Sequence, residues 1–457
     1  MISPRKEIYI NSTLSYCTEC GGNELARIVA KKNGVFMERL CTKNGVDSVK
    51  IAADYKWYMD RATHPQSISN NKNVIKSQHG CPFDCGICEW HSGSIQRAII
   101  PITNDFHSMS SVGIGSNNIN KSNYKSIEEI KKIIKNIKEK SKGLEIISLT
   151  GNETLLHPNL FEIIELFSKE GFKRITLDTN GLNSYEDHDF MKKIKQSNVQ
   201  LVISLDTFDK EKSIRIHGID LTDKKLQTLH VLESLQIPTN ILLVYFNGIN
   251  DEDIPGIVQE YIKKDFVRNI IIQDKTFLGR DYSLAQSSES FSIDDVEKLL
   301  SLGEDFSQED FSFLASYHSL CYSVAYYIVQ NQKVIPLSKI LDKNDLIGLS
   351  ESCCQLNPDK DFSRNFWDGV NRLWSHGEDY DSIKVLKQFM KKIFPSSGRL
   401  SNKEKWESAG KMIKAVYIHK YMGKADFDID RVSRCGDIFV DGSGRLIPVC
   451  SNNIVHK

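Results

Sequence analysis

Six short apolar runs punctuate the middle of the chain, separated by amphipathic segments. RAIIPI (97–102), GLEIISLTG (143–151), FKRITLDTNG (172–181), VQLVISLD (199–206), PTNILLVYFN (238–247) and RNIIIQDKTF (268–277) each have the length and composition of a strand. RAIIPI is apolar almost throughout and suits a strand buried on both faces. After it, YKSIEEIKKIIKNIKEKS reads as an amphipathic helix, and Ser126 with Glu129 makes a capping-box signature at its start. HPNLFEIIELFSKEGF predicts the next helix, with Pro158 early in it and Gly171 past its end. Further helices are predicted near 184–197, 221–235 and 251–264. This alternation implies an α/β fold with a parallel sheet, which right-handed crossovers close into a partial (β/α)6 TIM-like barrel. An open, doubly wound sheet satisfies the same pattern.

The flanks follow other rhythms. Residues 1–65 form a small module in which ELARIVAKKNGVFMERL predicts a hairpin between two knuckles, Cys17-Thr-Glu-Cys20 and Cys41-Thr-Lys-Asn44. Two such loops face to face make a zinc-ribbon or rubredoxin-like site, which takes four ligands. Cys17, Cys20 and Cys41 supply three, and Asn44 stands where the fourth belongs. The module is therefore either a metal site or a vestigial ribbon whose cysteines simply pack. Residues 66–96 are a cysteine-motif loop, 97–290 the barrel, and 291–457 a C-terminal extension. The extension holds Cys321, Cys353, Cys354, Cys435 and Cys450, as auxiliary cluster ligands or ordinary buried cysteines, and ends in a predicted hairpin turning at Asp441-Gly-Ser-Gly.

A length of 457 residues suggests two or three domains. Fifty-nine basic against 59 acidic residues give no electrostatic argument for nucleic acid or an anionic membrane. No window reaches the roughly 18 apolar residues of a membrane span, and MISPRKEIYINSTLS lacks the apolar core of a signal peptide. The expectation is a cytoplasmic protein whose 11 cysteines are thiols and ligands rather than disulfides.

The chemistry concentrates in Cys81-Pro-Phe-Asp-Cys85-Gly-Ile-Cys88. Three thiolates on one short loop suit a cubane iron–sulfur cluster with one open iron. Zinc with His91 as fourth ligand is the competing assignment. In a parallel barrel, function gathers at the C-terminal strand ends, which here carry Gly151 and Glu153, Asn180, Ser204 and Asp206. Gly151 permits close approach of a ligand, and Glu153 can accept from an ammonium. Asn180-Gly181 is equally a turn signal.

Taken in order, CTECG…LCTKNG, GCPFDCGICEWH, LTGNETLLHP, TLDTNGL, SLDTFDKEKSIRIHGIDL, FLGR, YHSLC and RC…DGSGRLIPVCSNN resemble the radical S-adenosylmethionine (SAM) superfamily, in the branch of tetraether lipid synthase and pterin C-methyltransferases. The resemblance implies a partial TIM barrel, a 4Fe–4S cluster and SAM, with zinc or iron in the N-terminal module. It places the methionine amino group of SAM on Gly151, Asn152 and Glu153, with Asn152 in place of a second glycine. Asn180, Ser204 and Asp206 complete the expected cofactor-binding set. One departure stands out: the superfamily's cluster loop follows the first barrel strand, where this chain has Phe106, Ser110 and Gly113 at the three cysteine positions.

Two functions are compatible with that departure. One is a radical SAM enzyme that generates a 5′-deoxyadenosyl radical for C–H activation, with C–C bond formation or methyl transfer, on a small-molecule or lipid substrate. Its electrons would come from a donor such as ferredoxin or flavodoxin. The other is a degenerate paralogue that keeps a cluster but does not cleave SAM, acting as a binding or electron-transfer partner.

Overall fold

The computed structural model describes residues 7–64, 74–103, 124–141, 144, 146–151, 153–182, 185–274, 291–350, 356, 360–375, 380–395 and 400–456. At the N-terminus, strands β1 (Ile8–Cys17), β2 (Gly22–Lys31), β3 (Gly34–Cys41) and β4 (Gly45–Ala52) form an antiparallel meander in the order β1-β2-β3-β4. Both knuckles are therefore hairpin turns at one end of this sheet, with Cys17 opposite Gly22 and Cys41 opposite Gly45.

The six apolar runs form β5 (Arg97–Pro101), β6 (Ile146–Thr150), β7 (Arg174–Thr179), β8 (Gln200–Ser204), β9 (Thr239–Tyr245) and β10 (Val267–Asp274). They lie side by side in chain order, all parallel, as their rhythm predicts. The Ser126–Glu129 capping box opens the helix Ile127–Lys140, whose Ile130, Ile133, Ile134 and Ile137 face the sheet. Between β5 and β10 one α-helix was not foreseen: Lys210–His217, hidden in a polar stretch and started by the Asp209 side chain.

The extension continues this sheet. It contributes β11 (Tyr322–Gln330), β12 (Lys333–Pro336), β13 (Ile413–His419), β14 (Asp437–Val440) and β15 (Leu446–Pro448). The full order is β12-β11-β13-β10-β9-β8-β7-β6-β5-β14-β15. β13 lies parallel to β10 at one edge and β14 parallel to β5 at the other, so eight adjacent strands are parallel rather than six. The sequence concealed this because long insertions, not single crossover helices, precede both added strands. β14 and β15 form the hairpin expected at Asp441.

Alternation along the strands sorts the two faces. Ala98, Ile100, Ile147, Leu149, Ile175, Leu177, Leu201, Ile203, Ile241 and Leu243 join one continuous core with the outer helices. The alternate positions on β6 to β10 are largely polar. Thr176 donates to Ser148 (2.9 Å), Thr150 to Asp178, and an amide ladder links Asn269, Asn240 and Gln200 (2.8 and 3.0 Å). β5 is buried on both faces as read: Ile99 packs in a second core with Tyr421, Phe427 and Phe439. Over β11 and β13 a third core, built on Phe362, Phe366 and Phe389 of the extension helices, covers Tyr326 and Tyr417.

The two sheet edges meet through side chains. Asp437 at the start of β14 accepts from Arg97 Nε (3.1 Å) and Nη2 (2.6 Å), Tyr317 (2.9 Å) and Tyr322 (2.6 Å). His419, at the end of β13, lies 4.0 Å from Asp437 and stacks on Tyr322 at 3.9 Å between ring centres. β14 thus begins where β13 ends. Burial pushes the Asp437 carboxyl up, but Arg97, His419 and Tyr322 outweigh it and leave it below the usual range. A lowered folded-state value stabilises above the unfolded carboxyl range and is lost as the pH falls through it. Asp437→Ala strands Arg97 and should cost about 3–5 kcal/mol in urea unfolding at neutral pH. A loss below about 1 kcal/mol, the scale of an exposed pair, would show that the joint is not structural.

Candidate cofactor and metal sites

The C-terminal strand ends are tied together by Glu153. Its Oε1 accepts from Leu155 N (3.0 Å), and its Oε2 from Thr179 Oγ1 (2.9 Å) and Asn180 N (3.0 Å). A carboxylate has about four lone-pair sites, so one is left for a ligand ammonium. Burial raises its pKa, and Lys225 pulls in the other direction. Gly151 has φ +143°, and a Cβ there would sit 2.0 Å from Thr103 Oγ1, which restricts the position to glycine. Asn152 lies outside the described residues.

The remaining strand-end residues hold one another. The Asn180 side chain accepts from Leu182 N (2.9 Å), the turn role that competed with ligand contact, while its carbonyl accepts from Lys225 Nζ. Lys225 Nζ also donates to Ser204 Oγ at 2.9 Å. Asp206 accepts from Val244 N (2.8 Å) and lies 3.3 Å from His217 Nε2. Lys225 was missed because KK in a helix reads as a solvated face. Here burial brings its pKa down to about 8 against the pull of Asp206 and Glu153.

Cys81, Cys85 and Cys88 line one cavity with Ile87, Trp90, His91, Val432, Ser433 and Pro448. A hydrogen bond between Cys81 and Cys85 holds Cys85 down to about 5 and pushes Cys81 up. His456 and Ser451 also bond Cys85, the latter at 3.1 Å. Desolvation keeps His91 near a pKa of about 4, hence neutral, and it bonds the Cys435 backbone. Three thiols on one cavity fit a cluster with three protein ligands.

The cavity lies on the concave side, where Cys85 packs with Ile99 and Phe439. Val432 and Ser433 precede β14 and Pro448 pairs with Ile438, which puts it near the N-terminal ends of β5 and β14. Across the five residues of β5, that is about 13 Å from the Gly151 end at 3.3 Å per residue. Residues 104–123, with Phe106, Ser110 and Gly113, lie outside the described residues and contribute no thiol.

Among the described residues, the group of metal-type ligand atoms that lie within 4.8 Å of one another is Cys17, Cys20 and Cys41. Desolvation raises Cys17, but N–H donors from Cys20 and Glu19 and the Asn44 side chain bring it to about 7. Asn44 N donates to Cys41 Sγ at 3.3 Å. In the extension, Cys321 meets Arg431 (3.6 Å), Cys435 donates to the Asp437 carbonyl (3.2 Å), and Cys450 accepts from Met422 N (3.4 Å). At that 4.8 Å spacing these three form no such group, though Cys435 feels the charges of Cys450 and Cys321; Cys353 and Cys354 lie outside the described residues.

Residues 75–261 match the family model of the Radical SAM superfamily. The chain carries a radical SAM domain. It is 23% identical over 495 aligned residues to the 7,8-dihydro-6-hydroxymethylpterin dimethyltransferase of Methanocaldococcus jannaschii, over 97% of this chain and 94% of that protein. A shorter segment, 29% of this chain and 42% of the relative, is 29% identical to a probable GTP 3',8-cyclase of Pyrococcus abyssi. Among solved structures, Streptococcus suis SuiB bound to S-adenosylmethionine matches over 46% of each chain, with a TM-score of 0.37 and 14% identity. Radical SAM enzymes work with a 4Fe–4S cluster and SAM, and these are the cofactors of this domain. No helix among the described residues is long and apolar enough to cross a membrane.

Within the radical SAM domain, Asp178 faces the polar interior. Burial raises its pKa to about 6, against the pull of Arg97 and the Thr150 bond. A raised folded-state value means that stability is fully present below the unfolded carboxyl range and is lost as the pH rises through about 6. Asp178→Asn should therefore raise the thermal midpoint at pH 7.5 and leave it unchanged at pH 4. Equal effects at both values would show that burial does not raise the Asp178 carboxyl.

Proposed function

We propose that this chain is a radical SAM enzyme that activates a C–H bond of a small, polar substrate held against the concave face of the sheet. The observation that carries the substrate class is the polar interior of β6 to β10: Ser148, Thr150, Thr176, Asp178, Gln200 and Asn240. These groups already bond one another, but each keeps donor or acceptor capacity that an acyl chain would leave unused. A hydrogen-bonding ring or nucleoside-like substrate would pair them. The full-length relative is named for a reduced pterin, a substrate of that kind.

In this reading Cys81, Cys85 and Cys88 hold the cluster, and Gly151, Glu153 and Asn180 receive SAM. When bound, the pair supplies one-electron cleavage of the sulfonium and the hydrogen abstraction that follows. The chain's own part is placement. Glu153 fixes the ends of β6 and β7 and offers its one remaining acceptor site to the methionine ammonium. Lys225 clamps Asn180 to Ser204 so that both ends keep their position. The packed cores over β5, β14 and β13 keep water from that side. Electrons come from a small redox donor.

A second reading has one observation in its favour. The cysteine cavity lies about 13 Å along the strand from Gly151, as β5 geometry sets it. A cluster there relays electrons or binds a partner without touching SAM. Equilibrium dialysis of SAM against the anaerobically reconstituted chain separates the parts. Glu153→Ala should weaken SAM at least tenfold with iron content unchanged, while Cys85→Ala should lower iron content and SAM binding together. Undiminished SAM affinity in Glu153→Ala would remove SAM from these strand ends. Undiminished affinity in an iron-depleted Cys85→Ala would favour the second reading.

A further inference from the structure

The N-terminal module has three cysteine ligands and, by sequence, Asn44 at the fourth position. The structure brings a different oxygen there. Glu24, near the start of β2, places Oε1 3.5 Å from Cys41 Sγ and 3.7 Å from Cys20 Sγ, while those sulfurs lie 3.8 Å apart. A tetrahedral zinc with metal–sulfur bonds of about 2.3 Å and a metal–oxygen bond of about 2.0 Å requires sulfur–sulfur separations of about 3.8 Å and sulfur–oxygen separations of about 3.5 Å. The three measured edges agree with those values, and Cys17 Sγ lies within 4.8 Å of both other sulfurs; the Glu24 carboxylate does not come within 4.8 Å of Cys17 as well, so that edge has to close when a metal binds.

Asn44 does something else. Its Nδ2 points at Cys17 Sγ (3.5 Å) and Cys41 Sγ (3.4 Å), and its backbone N–H adds a third donor at Cys41. An amide NH2 has no lone pair to give a metal, but it stabilises thiolates that a metal has claimed. We propose that the module is a zinc site of three thiolates and one carboxylate: Cys17, Cys20, Cys41 and Glu24 ligate, and Asn44 donates hydrogen bonds to the ligating sulfurs. This rests on reading the module as a metal site. Three thiolates with one carboxylate form a donor set that zinc accepts, and four protein ligands make the site a closed, structural one.

The site bears on the cysteine cavity as well. Asn23, beside Glu24, donates to the Cys81 carbonyl at 2.9 Å, and Tyr16 meets Phe83 edge-on at 5.8 Å. Zinc that pins the β1–β2 turn thereby steadies the loop carrying Cys81.

The test is zinc affinity of the full chain, by competition with a chromophoric chelator, together with zinc X-ray absorption. The native chain should show three sulfurs and one oxygen around zinc. Glu24→Gln, which preserves size and fold, should weaken the tight site at least tenfold, since even outer partners of metal ligands are worth that much. Asn44→Asp should weaken it too, because a carboxylate beside two thiolates repels them. Unchanged affinity in Glu24→Gln, or tighter zinc in Asn44→Asp, would overturn the assignment and make residue 44 the ligand. Cys17→Ser should abolish the tight site. If it does not, the module holds no metal, a failure distinct from loss in Cys17→Ser with none in Glu24→Gln.

Discussion

The buried ion pair between Arg97 and Asp437 is the joint on which the architecture turns. It links the first barrel strand to a strand that arrives 340 residues later in the chain. Four donors converge on the two oxygens of Asp437, which matches what an ionised carboxylate can accept and so offsets the cost of burying it. Because Tyr317 and Tyr322 are two of those donors and His419 stacks on Tyr322, β11 and β13 from the far edge are fixed at the same point. Once β14 is seated, the segment before it walls the cysteine cavity and the segment after β15 delivers Ser451 and His456 to Cys85.

The N-terminal module is docked by a second buried polar cluster. Arg61 pairs with Glu297 at 2.8 Å, Trp57 donates to the same carboxylate, and Asp294 accepts from the backbone of Ala53 and Asp54. These contacts join the module to the helix Ile293–Leu300 behind the sheet. Together with Asn23 at Cys81, they hold the module against both the extension and the cysteine loop. Its cysteine turns and the loop's geometry are thus mechanically connected.

Much of this was legible in the chain. The six parallel strands follow from periodicity, which allows both a sequential barrel order and a doubly wound one; the structure has the sequential order. The cysteine motif, Gly151 and Glu153 were visible as residue types that the chemistry requires. What escaped shares one cause: residues that look ordinary until the fold buries them beside a partner. Lys225 sits in a lysine pair and Asp437 in a run that reads only as a hairpin. β13 and β14 escaped because long-range pairing leaves no local trace. The extension cysteines Cys321, Cys435 and Cys450 meet Arg431, Asp437 and Met422 one by one, yet lie close enough to repel one another as thiolates.

The central claim is that the Cys81, Cys85 and Cys88 cluster and SAM work across one polar interior. It is tested most directly by adding SAM and a strong reductant to the anaerobically reconstituted chain and quantifying 5′-deoxyadenosine. The account predicts formation of 5′-deoxyadenosine that is lost in Cys85→Ala. A chain that carries a full cluster and binds SAM yet forms none would contradict it, leaving an iron–sulfur protein that has kept the barrel but not its reaction.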